Sequence, residues 1–364
     1  MVLAPQLGAF RERRRMLAWA TWLATRVVFA GIVWGLLGHA GTDQLAFFLP
    51  QARHVIAGEL PYRDFPSAYG PLFAPLLAAG VVALGSTGPL VLFLAGDFVA
   101  WRALAAAEGD AGEAAWGYVA VPAVWYLAVR YAQDEPLAAA FVALAWLASR
   151  RERPVWAGLA LGVGLLVTKP LFVLPALPVL LAARRRGPLL AGALAPVVIG
   201  YGIFLALGAP VMQPLMLEGG RIGIGPTLWV LPTVLIGLDP GLAGWLPFAA
   251  LFAWGVATLA RRGADAPQHA AWQYGAFAAL SPKFMPMYAI MWAPLVCAWC
   301  AREPARMRWL ALYGSVLPLA WYLESGPLQG LFGPAWKAVA CVGLPFGALL
   351  ALWPIVRELR QARA

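Results

Sequence analysis

Apolar runs separated by short arginine-rich breaks give this chain its rhythm. After Arg11-Glu12-Arg13-Arg14-Arg15 a largely apolar run extends to about Gly38, which matches the roughly 20 residues a bilayer-crossing helix needs. A polar loop follows. Apolar stretches at 71–84, 89–106, 114–129 and 136–148 then lead to the next basic cluster, Arg150 to Arg153. Basic residues collect on the cytoplasmic side of membrane proteins. With both clusters inside and the loop outside, an odd number of crossings separates the loop from the Arg150 cluster, so one of these four stretches stays on one side. Pro71–Leu84 is shorter than a bilayer core and opens on a proline; it is expected to lie along the outer leaflet or to re-enter within the first loop.

The remaining stretches alternate across the membrane: 89–106, 114–130, 136–149, 154–168, 170–183 and 188–208, a crossing that ends at Ala260, then 271–281, 285–300, 309–323 and 334–353. The spans at 154–168 and 170–183 are short, and a partly inserted helical hairpin is one reading of them. The stretch from Leu228 to Leu238 either does not cross or crosses as part of a pair. The pattern therefore predicts an all-α polytopic membrane protein of about 12 transmembrane helices, forming one membrane domain over 1–364 with both termini cytoplasmic. Its first outer loop is 38–88. No separate soluble domain, repeat array or cleavable signal peptide is expected.

Composition agrees: 62% of residues are hydrophobic and 12% charged, with a mean hydropathy of +0.73, against about 25% charged in soluble domains. The 18 Trp suit the water–lipid boundary. The 31 Pro and 38 Gly are tolerated where neighbouring helices re-satisfy freed backbone groups. A net charge of +10 could suggest nucleic acid, but the arginines fall in clusters at helix ends, which makes them orientation signals. Cys297 and Cys300 have the spacing of a redox or zinc pair, yet they lie within an apolar run and are read as core. The abundance of Ala, Arg and Gly is associated with GC-rich bacterial genomes.

Ionisable residues at membrane depth are costly and mark a site or a buried pair. Asp43 opens a segment to Gly58 that reads as helical despite Pro50, with Asp43, Phe47 and His54 able to share a face. Asp43 could equally cap that helix, or Thr42 could, with Asp43 in the first turn. Asp134-Glu135 precede Pro136 in an outer turn; they are either site carboxylates or a helix-start signal. Lys169 in Thr168-Lys169-Pro170 and Lys283 in Ser281-Pro282-Lys283 are two of only three lysines and emerge on the outer face. Each is a phosphate ligand or an interfacial anchor. Arg221 sits in a glycine-rich outer segment that could cradle a phosphate or simply connect helices. Arg26 and Asp97, inside spans, are expected to pair with neighbouring helices, although Arg26 could also face a cavity for lipid phosphate.

The motif Gly58-x-x-Pro61-Tyr62-Arg63-Asp64-Phe65, followed by Tyr69-Gly70-Pro71-Leu72, resembles the first outer loop of GT-C glycosyltransferases. The Thr-Lys-Pro turn and the stretch Ser281-Pro282 to Tyr288 resemble motifs of the family-87-like mannosyltransferases among them. The resemblance implies a GT-C-like bundle with membrane-parallel helices in the first outer loop. It implies an inverting glycosyltransferase working at the outer face of the bacterial plasma membrane. The donor would be a polyprenyl-phosphate-linked sugar, mannose in the first instance and a pentose as an alternative. The acceptor would be a lipid-linked or small glycan. Asp43 matches the catalytic base; Lys169, Lys283 and Arg221 match donor-phosphate ligands. Asp64, Asp134, Glu135, His54, Tyr62, Tyr69 and Tyr288 are the candidates for an acceptor or second acidic site. No cofactor is implied, although Asp43 could share a divalent ion with Asp134 or Glu135 if they converge. A membrane carrier or flippase for a lipid-linked sugar, and a non-catalytic assembly factor, stay open as alternatives.

Overall fold

The computed structural model describes residues 3–38, 43–108, 112–219, 227–229, 232–233, 236–238 and 241–325, with six further positions between 343 and 356. Among them the secondary structure is helical throughout, apart from one isolated bridge between Pro61 and Phe65 in the first loop. Helix α1 (Leu3–Trp22) continues through wide π-type turns at Leu23–Val28 and Gly31–Leu36. The first loop carries a further wide turn at Gln44–Phe48, α2 (Leu49–Ile56) and α3 (Phe73–Leu84). Pro50 falls in the first turn of α2, where its missing N–H leaves no helical bond unmade.

The core helices follow as α4 (Gly88–Glu108), α5 (Glu113–Ala120), α6 (Pro122–Tyr131), α7 (Glu135–Arg150), α8 (Pro154–Val167), α9 (Val173–Ala182) and α10 (Arg186–Ala206). Then come α11 (Gln213–Gly219), α12 (Trp245–Arg261), α13 (Ala266–Leu280), α14 (Ala289–Cys300) and α15 (Pro304–Ser325).

Three segments are long and apolar enough to cross a membrane: Glu12–Leu36, a window within Phe73–Glu108, and Arg186–Ala206. Pro154–Val167, Pro170–Ala182, Trp245–Arg261 and Pro286–Cys300 are shorter apolar helices. The expectation of about twelve full-length spans is thus met only in part. At Pro122 the run expected at 114–130 divides into α5 and α6, since proline cannot continue a helix's hydrogen bonds. The stretch expected at 334–353 lies almost wholly outside the described residues. On α10, Val198, Ile199 and Ile203 face outward, more than half exposed, which suits a lipid-covered surface.

Contacts at the helix ends sort the molecule into two poles. At one, Arg14 pairs with Glu113 at 2.6 Å, Arg150 approaches Glu108 at 3.5 Å, and Arg302 pairs with Asp265. At the other, Gln133 bonds Asp43, Tyr69 bonds Asp134, and Lys169 bonds Glu135. Both ends of α3 lie at this second pole: Tyr69, just before it, meets Asp134, and Ser86, just after it, accepts from Gln44.

One buried ion pair ties α1 to α4 and α5. Pro122 has no N–H, and Val121 is extended, so the run breaks there and the Tyr118 and Val119 carbonyls lose their helical partners. Arg26 supplies replacements, donating to Val119 O at 2.6 Å and Tyr118 O at 3.4 Å. Its Nε lies 2.9 Å from Asp97 Oδ2, with both side chains fully buried. Asp97 also accepts from Trp22 Nε1 at 2.7 Å and Tyr118 Oη at 3.1 Å. Arg26 therefore belongs to a helix clamp and not to a phosphate cavity. Cys297 and Cys300 are buried and free, as core residues would be.

Candidate functional site

Glycine 70 sets the geometry of the site. Its N–H bonds Thr168 O at 2.7 Å, and Leu72 N–H bonds Leu166 O at 2.9 Å, so the first loop runs along the end of α8. A Cβ at this position would fall 2.3 Å from Leu165 O; only glycine permits the approach. The loop thereby brings Tyr69 against the turn that carries Lys169.

Lys169 Nζ lies 2.9 Å from Asp134 Oδ1 and 3.0 Å from Glu135 Oε1. Tyr69 Oη donates to the same Asp134 oxygen at 3.3 Å. The ammonium stands 5.3 Å from the Tyr69 ring centre and 5.5 Å from that of Tyr288, within cation–π range. Tyr69 stacks on Phe73 with centroids 3.9 Å apart. Asp134 precedes α7 without capping it through its side chain. The turn before it holds Ala132 in the left-handed region, at φ 44°, a conformation costly for a residue with a Cβ.

Asp43 sits at the head of its helical turn, and its side chain makes no capping bond. Instead Oδ2 accepts from Gln133 Nε2 at 2.8 Å. Asp43 is near enough to Asp134 for its charge to act there. Burial pushes the Asp134 carboxyl above its ordinary range, against the pull of Lys169. Burial alone would lower Lys169, but Asp134 and Glu135 outweigh it and hold the ammonium well above its usual value. Burial, then the charge of Asp134, keeps the Tyr69 phenol well above its usual range. Two carboxylates thus share one ammonium, and the third, Asp43, is held by Gln133 beside them. Glu135 Oε2 is buried with no hydrogen-bond partner.

Beside Asp43 opens an apolar groove of about 850 Å³ between α1 and α4. Trp34, Gly35, Leu90 and Leu94 are among its walls, and Gln44 and Ser86 lie at its polar edge. The wide turns of α1 and Gly31, Gly35 and Gly38 leave the space that larger side chains would fill. Gln44 Oε1 is buried there without a partner.

The other sequence candidates lie elsewhere. Tyr62, at φ 71°, is buried and donates its hydroxyl to Tyr69 O, which fixes the loop that holds Tyr69. Burial raises its phenol as well. His54 binds Glu59 at 2.6 Å and stacks on Phe65. Asp64 pairs with Arg63 and accepts from Leu60 N–H at 2.7 Å; its carboxyl is lowered by Arg63. His54 and Asp64 thus fold the loop and stand outside the cluster. Lys283 is buried in the Ser281–Tyr288 link that delivers Tyr288; its N–H bonds Ser281 Oγ at 3.1 Å. Arg221 lies outside the described residues. Gln133 and Gln44 escaped the sequence reading because a neutral amide in a turn carries no signal; proximity to Asp43 alone marks them. Among the described residues no three His, Cys, Asp or Glu form a group that could hold a metal ion.

No protein-family model, curated protein or solved structure matches this chain.

Proposed function

We propose that the protein is a GT-C-type glycosyltransferase of the plasma membrane. It would take a sugar from a polyprenyl-phosphate donor and pass it to a lipid-linked or small glycan acceptor at the outer face. On this reading the chain is multi-pass, the arginine-rich pole is cytoplasmic, and the Asp43 pole faces outward. One observation carries the reading: a carboxylate not spent on capping, Asp43, sits where a lipid-sized apolar groove meets a buried polar cluster rich in carboxylate. A lipid-linked sugar needs that junction, with an apolar wall for its chain and acceptors for its hydroxyls.

In the proposed reaction Asp43 takes the proton of an acceptor hydroxyl as that oxygen attacks the anomeric carbon. The carbon–oxygen bond to the carrier breaks, and its electron pair leaves with the phosphate. Glu135 Oε2 would accept a hydrogen bond from a sugar hydroxyl. Lys169 is already paired with two carboxylates, so its role shifts from phosphate ligand to positioning residue. Stabilisation of the leaving phosphate is assigned to Lys283 and Arg221. Mannose is the leading sugar, with a pentose as the alternative.

The test is transfer from a panel of labelled polyprenyl-phosphate sugars, comparing wild type with Asp43→Asn. The substitution keeps the bond to Gln133 within reach but removes the base, and a loss of about 10²–10⁴-fold is expected. An equally active, folded variant would remove Asp43 from the chemistry. If wild type turns over no donor but moves lipid-linked sugar across vesicles, the protein is a flippase.

A further inference from the structure

At the arginine-rich pole a pocket of about 480 Å³ opens between the end of α7, the starts of α8 and α10, and the start of α13. Arg150, Arg184 and Arg185 line it, with Trp146, Glu152 and Asp265. Asp265 is already matched by Arg302, and it caps α13 through Gln268 N–H. Among the described residues Arg184 and Arg185 pair with no carboxylate. Arg150 is already approached by Glu108 at 3.5 Å, so Arg184 and Arg185 against Glu152 leave one positive charge in excess.

The backbone adds to that excess. A Cβ at Gly158 would fall 2.0 Å from Leu189 O, at Gly162 2.3 Å from Ala193 O, and at Gly192 2.4 Å from Val155 O. The contacts advance together along both chains, so α8 and α10 are parallel and in backbone contact. Their N-terminal ends stand side by side at the pocket, and neither has a side-chain cap. Each such end carries roughly half a positive charge. Two of them beside Arg184 and Arg185 make a site for an anion.

The surface next to the pocket identifies the anion's source. On the first two turns of the same helices Val155, Trp156, Leu190 and Leu194 are exposed, Trp156 by 65%. An ion from water has no use for that apolar margin; an acyl chain does, and Trp marks the interface between them. We infer that this pocket binds the phosphodiester headgroup of an anionic phospholipid, whose chains lie along α8 and α10.

The test measures binding of fluorescent phosphatidylglycerol to the purified full-length protein in zwitterionic detergent. Wild type is compared with Arg184→Gln/Arg185→Gln and with Arg261→Gln/Arg262→Gln, which removes the same charge outside the pocket. Each arginine near the headgroup is worth about fivefold, so the pocket variant should bind about twenty- to thirtyfold more weakly and the control less than about twofold. Equal losses in the two variants, or none in either, overturn the site. Inorganic phosphate and glycerol phosphate are then added as competitors. Failure of either to displace the lipid supports the headgroup assignment; displacement by inorganic phosphate overturns it in favour of a free-phosphate site.

Discussion

The Arg26–Asp97 pair and the Asp134–Glu135–Lys169 cluster are both sunk among helices, yet they are finished to different degrees. Arg26 spends its guanidinium on Asp97, on Thr25 Oγ1 and on two carbonyls freed by a proline break. Asp97 receives Trp22, Arg26 and Tyr118. Charge is balanced there, and the group joins three helices. In the second cluster acid outnumbers base, one carboxylate oxygen is unpartnered, and Asp43 stands at the mouth of a groove. A saturated pair has nothing left to offer a ligand, while an unsaturated one does. Burial alone would have marked both as sites; counting partners separates them.

The comparison breaks most directly at Arg26. Arg26→Met leaves Asp97 buried without its cation and orphans the Tyr118 and Val119 carbonyls. A loss of about 3–5 kcal/mol in stability is expected, read as thermal unfolding in detergent. Transfer activity per folded molecule should not change. If activity falls while stability holds, the clamp is part of the site.

Lys169→Met should cost less, and its cost should depend on pH. Without the ammonium, burial acts on Asp134 unopposed and raises its carboxyl further than the shift already present. A carboxyl raised in the folded state binds more protons there than when unfolded, so stability falls as pH rises. The deficit of Lys169→Met relative to wild type should therefore shrink as pH is lowered from about 8 to about 5, toward the ordinary aspartate value near 3.9. The measurement is unfolding midpoint against pH for both proteins. A deficit constant across that range would mean that Asp134 stays ionised without its partner and that the cluster is as rigid as the clamp.

Much of this was legible in the sequence, for reasons that also mark the limits. Arginine clusters at helix ends and a fourteen-residue apolar stretch opening on Pro71 gave the expectation that α3 belongs to the first loop, and its two ends meet Asp134 and Gln44, the neighbour of Asp43. Costly residues in outer turns singled out Asp43, Asp134, Glu135 and Lys169, which the fold gathers, with Tyr69 and Tyr288 beside them. Capping and catalysis call for the same residue in the same place, so the Gln133–Asp43 bond was needed to set capping aside. His54 and Asp64 stood as acceptor-site candidates because local pairing with Glu59 and Arg63 depends on how the loop closes. Arg26 and Asp97 are 71 residues apart, and hydropathy does not say which helices adjoin. The count of about twelve spans is matched only at the level of apolar helices, three of them of spanning length, because hydropathy does not show a break such as that at Pro122, which divides the run expected at 114–130 into α5 and α6.

The finest test compares two tyrosines, one on each cluster. Tyr118 Oη lies 3.1 Å from Asp97 Oδ1, and Tyr69 Oη lies 3.3 Å from Asp134 Oδ1. Each is a phenol donating to a buried carboxylate, and in each case Phe removes only the hydroxyl. In the clamp the loss leaves Asp97 Oδ1 with only the long 3.4 Å bond from Arg26 Nη2, so Tyr118→Phe should cost about 1.5–3 kcal/mol. In the cluster Lys169 already binds the same oxygen, and the Tyr69 ring keeps its stack on Phe73 and its face toward the ammonium. Tyr69→Phe should therefore cost nearer 0.5 kcal/mol. Unfolding of the two variants in one detergent gives the order directly. If Tyr69→Phe proves the more damaging, the Asp134 cluster is held by its phenol and not by its lysine, and the distinction between a finished clamp and an open site fails at its most sensitive point.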